Sequence, residues 1–302
     1  MPDGSDQTTT DDGTRGPVQC DRPPHAARTQ RFWSDPRVAG LLRLILAAAR
    51  PPRGVGRIAL ALAMGLVTHL AFAAGVLAMI VAMFFGMSES FGRVPAPWGW
   101  LVNAALILQF PVVHSAFLTR TGGRVLARLV PGPHGGTLAT TSYALIASLQ
   151  LLALFALWTP SGIVWWRAEG LLLWGVCMAY AGAWLLLLKA SFDAGAEVQS
   201  GALGWMSLMG RIAPRFPDMP TRGLFRVIRQ PIYVAFALTL WTVPVWTPDQ
   251  LMLALSFTAY CLLAPRLKER RFAARYGQRF ARYRARVPYV LPRLTRRRQN
   301  AQ

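Results

Sequence analysis

Four side chains in the last third of the chain have the types and spacing to hold a small charged ligand: Arg229, Gln230, Tyr233 and Glu269. A guanidinium presents a planar fork that matches a carboxylate, which is a role open to Arg229. Gln230 both donates and accepts hydrogen bonds. The ring of Tyr233 offers its face to a cation. Glu269 can accept from an amine or from ribose hydroxyls in charge-assisted bonds. Arg229-Gln230-Pro231-Ile232-Tyr233 stands where a polar segment meets an apolar one. Pro231 begins a helix at no loss there, because its missing N–H would be unpaired in the first turn anyway. The same charges would also anchor helix ends at lipid headgroups, and spacing alone leaves both readings open.

The elements that position these residues read as membrane helices. The chain is 53% hydrophobic and 15% charged, against about 25% charge in an ordinary soluble domain. Runs of roughly 18 apolar residues or more mark candidate spans. They lie near 58–85, 98–117, 138–158 and 171–188. Two shorter runs, 232–246 and 251–264, flank Thr247-Pro248-Asp249 and read as a helical hairpin entering the bilayer. Residues 119–138 and 189–230 read as basic or proline-rich loops, and a helix ending near Gly277 is followed by a second short one, 278–286. Ahead of the spans, residues 1–36 are polar and lack a continuous apolar stretch. That argues against a cleaved signal peptide and for a disordered tail. Residues 37–49 suit a short surface helix. The expected fold is all-α and integral to the membrane, with about four transmembrane helices, a C-terminal hairpin and cytoplasmic amphipathic helices. The expected parts are 1–56 (tail and surface helix), 57–190 (transmembrane helices) and 191–302 (loop, hairpin and C-terminal helices forming the ligand site).

The net charge of +20 does not argue for nucleic acid. The basic residues crowd the N-terminal tail, the 119–137 and 189–229 loops and the C-terminal tail, while the loops near 90 and 165 are nearly neutral. That alternation orients a bacterial inner-membrane protein with both termini cytoplasmic and lipids as its surroundings. The cysteines at 20, 177 and 261 have no metal or redox spacing. Residues 54–59, GVGRIA, match a dinucleotide fingerprint formally, but prolines precede them and a span follows, which is the wrong context. His69 sits alone at mid-span, where an interhelical hydrogen bond is expected. Gly175, Ala179 and Ala183 form a small-residue stripe suited to close helix packing.

The order of the polar residues resembles the isoprenylcysteine carboxyl methyltransferase-like membrane enzymes. That family carries an Arg-His-Pro-x-Tyr-x-Gly box, an apolar hairpin and then a Glu-Glu pair. Here the box reads Arg229-Gln230-Pro231-Ile232-Tyr233-Val234-Ala235 and the pair reads Lys268-Glu269. Residues 280–292, FARYRARVPYVLP, are similar to the family's ending. Gly223-Leu224-Phe225-Arg226 before the box, Phe192-Asp193 and Val113-His114-Ser115 resemble the bacterial methanethiol S-methyltransferase branch in particular. The resemblance covers about residues 97–292. Gln230 stands for the box His, Ala235 for the box Gly, and Lys268 for the first Glu of the pair. Gln lacks a titration near neutral pH, and Lys reverses a charge.

The resemblance implies S-adenosylmethionine as cofactor, whose carboxylate, amine, sulfonium and ribose are the handles that Arg229, Tyr233 and Glu269 suit. It implies that Gln230 belongs to the same site and that Tyr233 and Tyr283 pack on the adenosyl or sulfonium part. His114 becomes the candidate base or orienting group, with a helix-end hydrogen bond as its other reading. The implied methyl acceptor is a small thiol such as methanethiol, or a lipophilic cysteine carboxylate as in the wider family. The direct transfer so implied requires no metal. The departures at 230, 235 and 268 keep a second function in view, that of a cofactor-free membrane protein of the same fold with a structural or assembly role.

Overall fold

The computed structural model describes residues 36–130 and 132–292. The polar tail before residue 36 lies outside the described residues. A helix α1, Pro36–Ala49, ends where Pro51 and Pro52 interrupt it. Then come α2 (Val55–Phe84), α3 (Trp98–Phe117), α4 (Arg120–Leu129), α5 (Gly135–Ala156), α6 (Gly170–Gln199) and α7 (Ala202–Met209). After one turn of 3₁₀ helix, Gly223–Arg226, follow α8 (Pro231–Trp241), α9 (Pro248–Tyr276) and α10 (Gln278–Arg286). Two-residue strands β1 (Trp166–Arg167) and β2 (Val245–Trp246) complete the described elements. The protein is an all-α integral membrane protein: α2, α3, α5, α6 and α9 are long and apolar enough to cross a bilayer.

The bundle packs α2 against α5, and α6 against α8. Its core gathers Met83, Phe155, Trp158, Leu240, Leu253 and Phe257. Many large apolar residues point outward, among them Leu66, Trp174 and Leu185. In water such a surface would aggregate, whereas in hydrocarbon it is the ordinary outside of a bundle.

Several local expectations change. The 119–138 segment is not a loop, since α4 occupies ten residues of it. Thr119 caps α4, its hydroxyl accepting from the Gly122 N–H at 3.0 Å. The 189–230 segment is helical as far as Gln199 and again over α7. Within α6 the helix turns at Gly195, whose φ of 104° favours glycine. A Cβ there would meet the Pro217 ring at 2.8 Å. His69 makes an edge-on ring contact with Trp205 at 5.9 Å in place of the expected hydrogen bond. Gly175 has open space beside it, so the small-residue stripe does not serve packing within the chain at that position. Residues 54–59 open α2, and Arg57 donates to the carbonyls of Leu208 and Met209. That is a helix-anchoring role, with no nucleotide fold around it.

The hairpin is longer than its apolar runs suggested. β2, in its turn, pairs antiparallel with β1 in the α5–α6 loop, Trp166 opposite Trp246 and Arg167 opposite Val245. Thr247 Oγ1 donates to the Gly86 carbonyl at 2.5 Å, in the α2–α3 loop. Asp249 accepts from Trp158 Nε1 at 3.0 Å and from the N–H and hydroxyl of Ser161 at 2.9 and 2.5 Å. The turn thus lies at the same end of the bundle as the other two loops, and the hairpin runs the bundle's full depth. Its second leg continues through Pro265. Proline leaves the carbonyl ladder incomplete, and nearby the Tyr289 hydroxyl donates to the Leu262 carbonyl at 3.1 Å.

Candidate functional site

At the opposite end of the bundle, the start of α8 meets the polar half of α9 and the short α10. The chain is brought there by Asp193 near the end of α6, which pairs with Lys189 and accepts from the Leu224 N–H at 2.8 Å. That bond caps the 3₁₀ turn ahead of the box, and Gly223 takes a φ of 58° to make it. Pro231 is the first residue of α8, as its chemistry requires.

Arg229 and Glu269 form the polar centre. Arg229 Nε donates to Glu269 Oε1 at 2.8 Å and Nη2 to Oε2 at 3.3 Å. Nη1 donates to the carbonyls of Arg284 and Val287 at 3.1 and 2.6 Å, at the C-terminal end of α10. A cation there meets the negative end of the helix dipole. Gln230 Nε2 donates to Glu269 Oε1 at 2.9 Å. Gln230 is buried and its Oε1 has no partner. The expected carboxylate-binding fork is therefore held by this protein's own carboxylate and carbonyls. A ligand's carboxylate has to compete with Glu269 for it.

A narrow cleft, with enclosed room of only about 10 Å³, opens beside this centre, lined in part by Phe225, Arg229, Gln230, Lys268, Glu269 and Tyr283. The Tyr283 hydroxyl donates to the Phe225 carbonyl at 2.7 Å, fixing that wall. Four of the sequence-derived residues, Arg229, Gln230, Glu269 and Tyr283, share this cleft. Tyr233 stands behind it, against Lys268.

Lys268, marked in the sequence only as a reversed charge, has surroundings of its own. Its ammonium lies 5.6 Å from the Phe225 ring centre, 5.9 Å from Tyr233 and 5.5 Å from Phe272. Each distance falls within cation–π reach, worth about 0.5–2 kcal/mol per ring according to exposure. One signal was visible: Lys268 and Phe272 are four apart on one helix and so share a face. Phe225 and Tyr233 come from other elements and carried no such mark.

His114 does not line the cleft. It lies near the end of α3, stacked on Phe110 at 4.9 Å. Its Nε2 and the Tyr143 hydroxyl are 2.7 Å apart, and its Nδ1 is buried without a hydrogen-bond partner. Arg271, Tyr233 and Tyr260 are electrostatic neighbours of Tyr143. Tyr233 thus faces Lys268 and is also an electrostatic neighbour of Tyr143.

The architecture is that of a helical membrane protein with a small polar cleft at one end of its bundle. No family model and no solved structure matches the chain. Curated proteins do. It is 30% identical over 205 residues to methanethiol S-methyltransferase 2 of Bradyrhizobium diazoefficiens, covering 66% of this chain and 75% of that one. It is 28% identical over 203 residues to methanethiol S-methyltransferase of Pseudomonas deceptionensis, covering 66% and 75%. It is also 30% identical over 202 residues to Nurim of Rattus norvegicus, covering 59% and 74%. The chain belongs to the isoprenylcysteine carboxyl methyltransferase-like family of integral membrane proteins that includes the methanethiol S-methyltransferases.

Proposed function

We propose that the chain is an S-adenosylmethionine-dependent methyltransferase of the bacterial inner membrane, with both termini cytoplasmic, acting on a small thiol of the methanethiol kind. The observation that carries this reading is the set of three rings, Phe225, Tyr233 and Phe272, disposed about one cation position beside the Glu269 carboxylate. It gains weight from the methyltransferase names of the relatives.

The rings suit a sulfonium, and Tyr283 and Phe280 add aromatic wall. The Lys268 ammonium does not fit beside a second cation. The cleft as it stands is also far too tight for a nucleoside, with enclosed room of about 10 Å³ against the roughly 300–1,000 Å³ usual for small-molecule sites. Binding therefore needs Lys268 to leave the box. S-adenosylmethionine, when bound, supplies an electrophilic methyl group, so the nucleophile comes from the acceptor. The protein's contribution is placement and exclusion of water. His114, held by Tyr143, is the group we assign to orienting the thiol, since its Nδ1 is a buried ring nitrogen without a partner in the protein.

Headspace measurement of dimethyl sulfide from cells expressing the chain and fed methanethiol tests the reading. Release above that of empty-vector cells supports it. Labelling of a lipophilic cysteine carboxylate without any sulfide would move the acceptor to that class. The caged Lys268 favours a second reading, a cofactor-free protein of the same fold with a structural or assembly role. Absence of any nucleoside binding would select it.

A further inference from the structure

The box formed by Phe225, Tyr233 and Phe272 is a cation site, and the cation in it belongs to the protein. The choice of side chain is pointed. Of the 33 basic residues, lysine occurs only at 189 and 268, and all others are arginine. An ammonium is a compact point charge on a flexible four-carbon stem, whereas a guanidinium is a planar fork. Three rings around one point suit the former. The neighbouring carboxylate does not draw Lys268 away, since Glu269 is already bonded by Arg229 and Gln230.

We propose that Lys268 is a tethered cation that guards the box against the sulfonium donor, so that the residue at 268 sets the preference of the cleft between this donor and its neutral thioether product. The proposal rests on the reading above that the cleft takes this nucleoside. The physical argument is charge. A sulfonium entering the box meets an ammonium at a few ångströms, and two like charges at such separation repel strongly where water is sparse. It also has to strip Lys268 of its three rings. The neutral thioether meets neither penalty in full, because it has no need of the box. It still needs the cleft to widen, but it enters along Tyr283, Phe280 and Glu269 without like-charge repulsion from Lys268.

Two measurements test this. In the first, the purified full chain in lipid nanodiscs is titrated calorimetrically with S-adenosylmethionine and with S-adenosylhomocysteine. The wild type should bind the thioether at least about tenfold tighter than the sulfonium. Lys268→Met should bring the two to within about threefold by tightening the sulfonium, since the rings are then free for it. Lys268→Glu should place the sulfonium ahead. Binding of both with an unchanged ratio in Lys268→Met overturns the inference and leaves the functional reading standing. Binding of neither nucleoside to any of the three forms overturns both. The second measurement needs no variant. Acylation by an N-hydroxysuccinimide ester, followed by peptide mass spectrometry, compares Lys268 with Lys189. Lys268 should react at least about tenfold more slowly when held by the rings, and faster when S-adenosylmethionine is added. Equal rates at the two lysines, or no acceleration by bound S-adenosylmethionine, would overturn it.

Discussion

The Arg229 guanidinium meets the Glu269 carboxylate side-on, with Nε at 2.8 Å from Oε1 and Nη2 at 3.3 Å from Oε2. Both side chains are largely buried, 10% and 14% exposed. The pair joins the start of α8 to α9, and the remaining Nη1 ties both to the end of α10. Arg229 is thus a three-way joint. Its removal leaves a buried carboxylate with Gln230 as its remaining donor and takes a donor from two helix-end carbonyls, so Arg229→Ala should destabilise by about 3–5 kcal/mol. Glu269→Gln keeps an acceptor for the guanidinium and should cost about 1.5–3 kcal/mol. Thermal unfolding in nanodiscs orders the two. A larger loss in Glu269→Gln would show that the α10 carbonyls are not what Arg229 mainly serves.

Asp218 and Arg279 form an ion pair at the exposed surface of the same end. The hydrogen bond from Arg279 holds the Asp218 carboxyl below its usual range. A depressed carboxyl stabilises the fold above its unfolded pKa, and the contribution is lost as pH falls through the lower folded value. Both side chains are more than half exposed, so the effect should be small and weakened by salt. Asp218→Asn should flatten a slight acid-side loss of melting temperature at low ionic strength. It should change nothing in 0.5 M salt, a level of roughly this order screening surface charges within a few ångströms. An equal loss at both salt levels would mean that Asp218 acts through the Met219 N–H, to which it is also bonded.

How far the sequence could be read follows from the range of each interaction. The spans were legible because a bilayer demands about 20 apolar residues in a row, a local property. Pro231, Gly277 and the end of α10 were legible because caps and breakers act within a turn. The Arg229 box and Glu269 were recognisable by order along the chain, but their mutual bond was not. A side chain suited to a ligand's carboxylate is equally suited to the protein's own, and only the fold chooses. The ring box around Lys268 is not legible in sequence because its rings lie up to 43 residues away, the span from Phe225 to Lys268. The depth of the hairpin was hidden for a similar reason. Its first leg, α8, has only eleven helical residues, and β2 and Asp249 complete the crossing through partners in other loops.

The His114–Tyr143 pair sits between α3 and α5. Tyr143→Phe removes one hydroxyl from a contact 2.7 Å long and leaves both ring nitrogens of His114 without a protein partner. Hydrogen bonds between membrane helices average about 0.6 kcal/mol and reach about 1.7 kcal/mol. The stability loss should lie in that range. If the pair orients a thiol, Tyr143→Phe should also raise the KM for the thiol while leaving nucleoside affinity untouched. Loss of nucleoside affinity in this variant would place His114 on the cofactor side.

Asp249 should be the most sensitive acidic residue at the far end. Its carboxylate is 1% exposed and takes three hydrogen bonds, from Trp158 and twice from Ser161. Asp249→Ala leaves these donors unpaired in a buried place, and charge-assisted bonds are worth about 1.5–3 kcal/mol each before losses shared among them. A drop of about 3–5 kcal/mol is expected. Asp249→Asn retains acceptor capacity at one oxygen and should recover part of it. Wild-type stability in Asp249→Ala would mean that the β1–β2 pairing alone holds the turn.

The hairpin's depth has a direct consequence for topology. Its turn is hydrogen-bonded to the α2–α3 and α5–α6 loops, through Thr247 to Gly86 and through β2 to β1. Those three segments must therefore face the same side of the membrane. The start of α10 follows a helix of 29 residues leading away from that turn, about 43 Å at 1.5 Å per residue, and must face the other side. In the orientation proposed above, that other side, with the arginines around α4, before α8 and in α10, is the cytoplasmic one. Single cysteines placed in a background lacking Cys20, Cys177 and Cys261 can read this directly. Glu89→Cys and Thr242→Cys should react with a membrane-impermeant maleimide in intact cells. Gln278→Cys should react only after permeabilisation. Protection of Thr242→Cys together with labelling of Glu89→Cys would show a hairpin that turns back inside the bilayer, and the β1–β2 pairing would then have to be absent in the membrane.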